Sequence, residues 1–341
     1  MDKKVIFAVA GSGKTTHIID QLSLDKRSLV VTYTNSNLRT LRSGILEKFG
    51  FFPENIKLYS YFVFLYSFCY KPFLSLEFKA SGITYEGNPY RFVKQIDRKY
   101  FFDSYGRMYG NRIAKFLDVQ GVLGDVNLRL AKYFDCLFID EVQDLAGHDF
   151  NLLKSISQAD LSIVAVGDFF QHTFDTSRDG NVNANLHLDY EKYKNVFADM
   201  GFVVDIESLL VSHRCSPSVC KFILDSIGIE MHSARKEDTK LFFVESEGVA
   251  DEIFQNGNIV KLFYQEYYKY ECYSRNWGDC KGENGYGDVC VVLNKTTLDK
   301  FRKHRLDELP AQTKNKLYVA CTRARGDLYL VSEDFYKKYK S

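Results

Sequence analysis

Short apolar runs alternate with amphipathic segments in the first part of the chain. Apolar runs over residues 5–9 and 28–33 predict buried strands, and the segment 16–22 between them predicts a helix. Residues 38–49 predict a second helix, because their apolar side chains recur at helical spacing. This alternation of strand and helix predicts an α/β protein with a doubly wound parallel sheet.

The same pattern continues further along the chain. Residues 56–62 predict a strand that passes into an aromatic-rich helix ending near Tyr70. We interpret the aromatic stripe of that helix as core, because aromatic side chains most often serve burial. Apolar runs before Asp140, over residues 161–166 and over residues 288–293 predict further strands.

Residues 71–124 interrupt the alternation, because prolines and glycines divide them into short pieces. We interpret them as a small inserted subdomain. Basic and aromatic residues are interleaved there: Arg91, Lys94, Arg98, Lys99, Tyr100, Phe101, Phe102, Arg107, Tyr109 and Arg112. This composition is typical of a surface that follows phosphates and stacks bases. A solvated helix face over a small core explains it equally well, and both interpretations stay open.

The composition is that of an ordinary globular protein. The chain has 341 residues, which is enough for two or three domains with a sizeable core. Its apolar content is 45% and its charged content is 26%. Because the formal net charge is only +1, a nucleic-acid site is expected as a local groove and not as a basic surface over the whole molecule.

The cysteines and the apolar runs bear on the compartment. The eight cysteines form no C-x-x-C pair and no cluster with histidine at zinc spacing. This pattern predicts reduced thiols in a cytoplasmic protein. The sequence shows no signal peptide and no apolar run long enough to span a membrane, so we expect no membrane partner.

The residues after the first predicted strand have the pattern of a phosphate-binding loop. The stretch Ala8-Val9-Ala10-Gly11-Ser12-Gly13-Lys14-Thr15 lies between a predicted strand and a predicted helix, as such a loop requires. Its glycines let consecutive backbone N–H groups point at one anion, and the helix N-terminus adds a partial positive charge. A Gly/Ser turn that precedes Lys-Thr by chance is the alternative, and the flanking elements argue against it.

The loop predicts a nucleoside triphosphate ligand. We expect Lys14 to reach the β- and γ-phosphates and the Thr15 hydroxyl to bind Mg²⁺. The predicted nucleotide-binding residues of this stretch are Ala8, Gly11, Ser12, Gly13, Lys14, Thr15 and Thr16.

Two later strands end in polar residues that complete such a site. Asp140 and Glu141 follow an apolar strand, and we expect Asp140 to hold Mg²⁺ and Glu141 to deprotonate the attacking water. Gln171 follows the next predicted strand. A polar amide at the carboxyl end of a parallel strand faces the ligand crevice, where it can sense the γ-phosphate.

Separated sequence blocks resemble the motifs of superfamily 1 helicases of the UvrD/Rep group. The first is the phosphate loop, including Ala8 at its first position. The others are Thr32-Tyr33-Thr34-Asn35, Asp140-Glu141-x-Gln143-Asp144, Gly167-Asp168-x-x-Gln171, His213-Arg214-Cys215, Lys281-Gly282 and Leu317-Tyr318-Val319-Ala320-Cys321-Thr322-Arg323-Ala324-Arg325. They follow the order of the family along the chain.

The resemblance implies two RecA-like P-loop NTPase domains that hydrolyse ATP, with Mg²⁺, at the cleft between them. Arg214 and Arg323 would then approach the γ-phosphate and stabilise charge in the transition state. The predicted catalytic residues are Lys14, Glu141, Gln171, Arg214 and Arg323, and Gly282 and Arg323 join the nucleotide-binding residues. The predicted nucleic-acid contacts are Tyr33, Thr34, Asn35, Tyr61 and Phe174.

The resemblance also predicts the domain organisation. The first RecA-like domain is expected over residues 1–70 and 125–207, the inserted subdomain over 71–124, and the second RecA-like domain over 208–341.

The chain departs from the family pattern, and two of the departures bear on its function. The short stretch between Arg214 and Lys281 indicates a compact member that lacks most of the family's second inserted subdomain. His213 stands where the family has a tyrosine that stacks on adenine, so the sequence leaves base selectivity open.

The predicted function is that of an ATP-dependent DNA helicase or single-strand DNA translocase, moving 3′ to 5′ as the resemblance implies. RNA stays open as an alternative to DNA. An alternative is a DNA-sensing regulatory ATPase subunit of a nuclease or phage-defence complex. A small-molecule P-loop kinase is a third hypothesis, which Gln143-Asp144 and Thr322-Arg323-Ala324 disfavour.

Overall fold

The computed structural model describes residues 2–90, 92–173, 180–283 and 285–341. Among these, residues 2–6, 15–167 and 180–205 form a first compact unit. Residues 7–14, 168–173 and 206–341 form a second one.

The chain up to Asp205 supplies the elements of the first unit. Its strands are β1 (Lys3–Phe7), β2 (Ser28–Thr32), β3 (Ile56–Ser60), β4 (Gly82–Thr84), β5 (Arg107–Tyr109), β6 (Cys136–Asp140), β7 (Ser162–Gly167) and β8 (Val203–Asp205). Its helices are α1 (Lys14–Gln21), α2 (Asn35–Phe49), α3 (Tyr61–Val63), α4 (Lys71–Phe78), α5 (Arg98–Phe101), α6 (Ile113–Val119), α7 (Leu123–Tyr133), α8 (Gly147–Ile156) and α9 (Tyr190–Asp199).

The main sheet of the first unit has the strand order β3-β2-β6-β7-β1-β8. The pairs β2–β3, β2–β6, β6–β7 and β1–β8 are parallel. Every residue of β2 is buried, as expected for a strand covered by helices on both faces of a sheet. Because parallel strands end at the same edge, β2 and β6 bring Thr32 and Asp140 to one rim of this sheet.

The predicted aromatic helix after β3 has a wider turn than an α-helix. The short helix α3 continues into a π-helix over Phe64–Tyr70. Its side chains Phe64, Leu65, Phe68, Cys69 and Tyr70 are all buried, which confirms the interpretation of this stripe as core.

The described residues of the segment 71–124 belong to the first unit and pack around Phe116. The rings of Phe78 and Phe101 lie 4.9 Å from that of Phe116, and the strands β4 and β5 pair beside them. The aromatic side chains of this segment therefore divide into a small core and an exposed set, in which Tyr85 is 72% exposed.

The second unit contains the remaining elements. Its strands are β9 (Val211–Ser212), β10 (His232–Ser233), β11 (Leu241–Val244), β12 (Val260–Phe263), β13 (Ser274–Asn276), β14 (Val289–Leu293) and β15 (Leu328–Ser332). Its α-helices are α10 (Pro217–Phe222), α11 (Glu247–Gln255), α12 (Lys295–Arg302) and α13 (Ala311–Cys321), and a π-helix over Ile223–Ile227 follows α10. A five-stranded sheet has the order β11-β15-β14-β12-β13, and all of its pairs are parallel.

Hydrophobic clusters cover both faces of this second sheet. Along β14, Val289 and Val291 lie in one cluster, whereas Cys290 and Val292 lie in the other, as the alternation of side chains in a strand requires. The two parallel sheets confirm the predicted α/β class.

The cysteines and the helix lengths complete the description. All eight cysteines are free, and most are buried. Within the described ranges, no helix combines the length and the apolar character needed to cross a bilayer.

Candidate nucleotide and nucleic-acid sites

The predicted phosphate loop lies in the second unit, where backbone contacts hold it in place. The Val9 N–H donates to the Leu209 carbonyl at 3.0 Å, and the His213 N–H donates to the Gly11 carbonyl at 2.9 Å. Gly11 and Gly13 have φ angles of 73° and 85°, which only glycine adopts at little cost. The loop therefore has the curled backbone that the sequence predicts.

Gly11 is also required for space. A Cβ atom at this position would lie 2.6 Å from Cβ of Arg214 and 2.8 Å from Oγ of Ser212. The missing side chain thus brings the phosphate loop against Arg214, one of the two arginines predicted to act on the γ-phosphate.

The loop presents polar groups suited to an anion. Ser12 is only 4% exposed, and its Oγ makes no hydrogen bond to any residue that the structure describes. A buried hydroxyl without a partner costs free energy, and a phosphate oxygen would remove that cost by accepting from it. Lys14, the first residue of α1, is half-buried beside this loop.

A chain of hydrogen bonds runs from the phosphate loop through a buried tyrosine. The Ala10 N–H donates to Oη of Tyr318 at 2.8 Å, and the Tyr318 hydroxyl donates to Oδ2 of Asp168 at 3.0 Å. Asp168 Oδ2 also accepts from Nε2 of Gln171 at 2.8 Å. All four residues belong to the second unit, so one hydroxyl ties the loop to the predicted γ-phosphate sensor.

Arg323 extends this chain of hydrogen bonds. Its Nη2 donates to Oε1 of Gln171 at 3.4 Å, and its Nε donates to the Val319 carbonyl at 3.2 Å within α13. Its Nη1 donates to the carbonyl of Glu283 at 3.1 Å. The predicted nucleotide contact Gly282, whose φ is 82°, therefore precedes the residue that holds the guanidinium of Arg323.

The two arginines repel one another. Burial, followed by the charge of Arg323, lowers the pKa of Arg214 to about 10, so the Arg214 guanidinium stays charged at neutral pH. Two desolvated positive charges beside a phosphate loop favour a bound polyanion, because its charge relieves their repulsion.

The predicted acidic pair lies in the first unit, at the end of β6. Oδ2 of Asp140 accepts from the Thr32 hydroxyl at 3.0 Å and from Nδ2 of Asn37 at 3.3 Å. The same Asn37 amide donates to Oε1 of Glu141 at 3.2 Å, and Nε2 of Gln143 donates to Oε2 of Glu141. Side chains after β2 and β6 thus hold both carboxylates at one rim of the sheet.

Glu141 has a left-handed backbone, with φ of 57° and ψ of 44°. A non-glycine residue in this region carries strain, and such residues concentrate at functional sites.

The close approach of the Gln143 side chain to the end of β7 requires glycine at position 167. A Cβ on Gly167 would lie 2.3 Å from Oε1 of Gln143 and 2.8 Å from Cγ1 of Val142.

The predicted magnesium ligands are both in the first unit. Thr15 lies in the first turn of α1, followed by the exposed Thr16, and Asp140 lies at the end of β6. Hydroxyl and carboxylate oxygens are the ligands that Mg²⁺ prefers. In the described part of the chain, no three His, Cys, Asp or Glu side chains cluster as a metal site. The pair of Thr15 and Asp140 fits Mg²⁺, which is usually held by one or two protein oxygens, water and substrate phosphates.

The predicted nucleic-acid residues lie around a group of aromatic rings, which we name the aromatic cluster: Tyr33, Tyr61, Phe62 and Tyr85. Tyr33 is half-buried, and its ring centroid lies 5.9 Å from that of Tyr61 and 5.6 Å from that of Phe62. Phe62 meets the exposed Tyr85 edge to face at 4.9 Å. Burial and the Asp149 carboxylate raise the pKa of the Tyr33 hydroxyl, so it stays neutral.

The other predicted nucleic-acid residues occupy different positions. Tyr61 is only 4% exposed, beneath the rest of the aromatic cluster, so its contact with nucleic acid stays a prediction. Thr34 caps α2, because its Oγ1 accepts from the Asn37 N–H at 3.1 Å. Asn35 is exposed at the start of α2, and Phe174 lies outside the described residues.

Sequence reasoning missed three residues of these sites. Tyr318 lies in a block that the sequence singles out, yet its partner Ala10 is 308 positions away, and no local pattern reveals that bond. Asp168 likewise lies in a recognised block without an assigned role. Asn37 follows the Thr-Tyr-Thr-Asn block, and its position three residues after the cap Thr34 is the one signal that it lies near the end of β2.

Comparisons with known proteins agree with this fold. Residues 122–332 match the model of the viral superfamily 1 RNA helicase core domain. No curated protein matches the chain in sequence.

Two solved arterivirus structures resemble the whole chain. An Arterivirus nonstructural protein 10 (helicase) solved in complex with DNA is 16% identical, with a TM-score of 0.51, and the match covers 98% of this chain and 61% of that one. A second structure of Arterivirus nonstructural protein 10 is 15% identical, with a TM-score of 0.50, and the match covers 97% and 59%. This chain therefore spans about three fifths of the length of these helicases.

The structural neighbours support the predicted pair of RecA-like domains as a fold. The family match shows a superfamily 1 helicase core, and the finer placement in the UvrD/Rep group stays a prediction. The family match covers more than half of the chain and includes the Asp-Glu pair, Gln171 and both arginines. This chain belongs to the viral superfamily 1 RNA helicase core family, a family of NTP-hydrolysing helicase enzymes.

Proposed function

We propose that this chain is an ATP-hydrolysing motor that moves along single-stranded nucleic acid. The observation that carries the proposal is the chain of hydrogen bonds from the phosphate loop through Tyr318 to Asp168, Gln171 and Arg323. It ties a triphosphate-binding loop to the polar groups that would respond to the γ-phosphate.

The residues of the two units have distinct roles in this proposal. Lys14 and the loop N–H groups bind the β- and γ-phosphates, and Glu141 accepts a proton from the attacking water. Arg214 and Arg323 stabilise the charge that develops in phosphoryl transfer, and such an arginine accelerates turnover by roughly 10³–10⁵-fold. Mg²⁺ bound through Thr15 and Asp140 would neutralise phosphate charge.

The aromatic cluster supports a single-stranded ligand. Aromatic faces stack bases of any sequence, and basic residues such as the exposed Lys94 lie on the same inserted segment as the exposed Tyr85. The Thr-Tyr-Thr-Asn block, which resembles the UvrD/Rep group, favours DNA and movement from 3′ to 5′. One of the arterivirus helicases is solved with DNA, whereas the family description names RNA. We propose single-stranded DNA as the substrate, and single-stranded RNA is the alternative.

A regulatory ATPase that senses DNA for a partner nuclease or a phage-defence complex is the second candidate. The observation that favours it is the segment between Arg214 and Lys281. That segment is fully described and contains only short helices and strands of the second unit, with no large inserted subdomain. Such a protein would hydrolyse ATP on single strands but separate duplexes poorly.

Steady-state ATP hydrolysis tests the proposal. Turnover should rise when single-stranded DNA is added, and the rise should weaken with salt, because phosphate contacts release counterions. Single-stranded RNA and blunt duplex are the comparison ligands. Turnover that ignores all three would contradict a nucleic-acid motor.

Strand displacement separates the two candidates. A partial duplex with a 3′ tail should be unwound faster than one with a 5′ tail if the UvrD/Rep resemblance extends to polarity. Strong stimulation of hydrolysis without displacement of either substrate would favour the regulatory ATPase.

A further inference from the structure

The side-chain amide of Asn37 contacts both carboxylates of the acidic pair, although Asn37 belongs to none of the sequence blocks that resemble helicase motifs. Its Nδ2 donates to Oδ2 of Asp140 at 3.3 Å and to Oε1 of Glu141 at 3.2 Å. Both acceptors belong to the acidic pair at the end of β6, whereas Asn37 lies in the first turn of α2. One amide therefore touches both the proposed metal ligand and the proposed base.

The carboxylate of Glu141 is held by amide donors at both oxygens. Asn37 donates to Oε1, and Gln143 donates to Oε2. A general base must turn an oxygen lone pair toward the attacking water, and donors that already occupy its oxygens hinder that. The left-handed backbone of Glu141, with φ of 57°, adds a strained conformation that the surrounding bonds must maintain.

The segment from Thr32 to Asn37 connects this arrangement to the aromatic cluster. At one end the Thr32 hydroxyl donates to Asp140, and at the other end Asn37 donates to Asp140 and Glu141. Tyr33 lies between the two ends, with its ring against those of Tyr61 and Phe62. The Asn37 N–H is bonded to Oγ1 of Thr34, so a shift of the segment moves the amide that holds Glu141.

We propose that Asn37 is a positioning residue that restrains Glu141 until a single strand binds at Tyr33. Binding of a base moves the segment 33–37, the bond from Asn37 to Glu141 breaks, and the carboxylate turns toward water. This mechanism rests on the proposed function, and it explains how a nucleic acid would stimulate hydrolysis without touching the nucleotide.

The test is ATP turnover of Asn37→Ala with and without single-stranded DNA. The variant should hydrolyse ATP about fivefold faster than wild type without DNA, the effect of one lost hydrogen bond. The ratio of stimulated to basal turnover should fall toward one. Ser36→Ala is the matched control, because Ser36 is its exposed neighbour in α2, and its basal rate and ratio should equal those of wild type.

Each outcome decides the proposal. Basal and stimulated rates that fall together, with an unchanged ratio, would overturn it and leave Asn37 as a support for an active Glu141. If wild type shows no stimulation, the proposed function fails, but the basal rate of Asn37→Ala still tests the restraint. A thermal midpoint equal to that of wild type shows that the variant is folded, and Asn37→Ser repeats the test with a shorter polar side chain.

Discussion

At the residue scale, Tyr318 links the phosphate loop to the carboxylate that holds the predicted γ-phosphate sensor Gln171. It is fully buried, and its hydroxyl both accepts from Ala10 and donates to Asp168. Burial raises the pKa of Tyr318 well above its ordinary value, so the hydroxyl keeps the proton with which it donates. The phenol thus fixes the direction of one loop N–H and the orientation of one carboxylate.

Removal of this hydroxyl should impair turnover while the fold persists. Tyr318→Phe leaves the buried Ala10 N–H without its acceptor, which costs about 1–3 kcal/mol. We expect kcat/KM for ATP to fall about tenfold, as about 1.4 kcal/mol implies. Tyr329→Phe in β15 is the control, with its ring stacked on Phe242, and should change neither rate nor stability. Wild-type kcat/KM in Tyr318→Phe would show that the loop does not depend on this bond.

Tyr33 offers a residue-scale test of the nucleic-acid site. If its ring stacks a base, Tyr33→Ala should weaken single-strand affinity by about 1–3 kcal/mol, whereas Tyr33→Phe, which keeps the ring, should bind like wild type. Tyr59→Ala removes another half-buried tyrosine, from the adjacent strand β3, and should leave affinity unchanged. Equilibrium binding of single strands, measured together with thermal midpoints, distinguishes a base-stacking role of Tyr33 from a role in the core. A large loss of stability with intact affinity per folded molecule would assign Tyr33 to the core alone.

At the scale of elements, the ends of strands β2, β6 and β7 determine the acidic site. The end of β7 must be glycine, because Gly167 leaves the room that the Gln143 amide occupies against Glu141. The sequence block Gly167-Asp168 is therefore explained partly by packing against a different block, Asp140-Glu141-x-Gln143. Two motifs that are separate in sequence share one steric constraint.

A methyl group at position 167 should disturb this contact. Gly167→Ala places a Cβ within 3.2 Å of the Gln143 backbone nitrogen as well as against two side chains, so the neighbours must shift. Overpacking of this kind costs about 1–3 kcal/mol, which should lower the thermal midpoint by several degrees.

The control for that substitution is Gly124→Ala in α7, where a Cβ meets no atom within 4 Å. Alanine favours a helix, so this variant should be at least as stable as wild type. Equal thermal midpoints for the two variants would contradict the steric account of Gly167.

At the scale of the whole molecule, local sequence patterns predicted the strands and helices but not the contacts between residues that are distant in sequence. The apolar runs located β2, β6, β7 and β14 within a residue or two, because strands buried on both faces must be continuously apolar. The π-helix over Phe64–Tyr70 was predicted only as a helix, since the spacing of aromatic side chains does not fix the width of a turn.

The candidate sites likewise contain residues that the sequence predicted and residues that it did not. The blocks identified Gly11, Asp140, Glu141, Gln171 and both arginines, because their residue types and spacing carry recognisable chemistry. Asn37 and Tyr318 were not identified, since their roles depend on partners more than 100 positions away in the sequence. The family match shows the helicase family, the structural neighbours support the fold, and the residue roles stay predictions.

The most direct test of the central claim is phosphate release by wild type, Glu141→Gln and Lys14→Ala with saturating single-stranded DNA, alongside nucleotide binding. Wild type should hydrolyse ATP. Glu141→Gln should bind ATP with similar affinity and turn over roughly 10²–10⁴-fold more slowly, because it lacks the base. Lys14→Ala should lose tight nucleotide binding. Near wild-type turnover by Glu141→Gln, or no hydrolysis by wild type, would contradict the account.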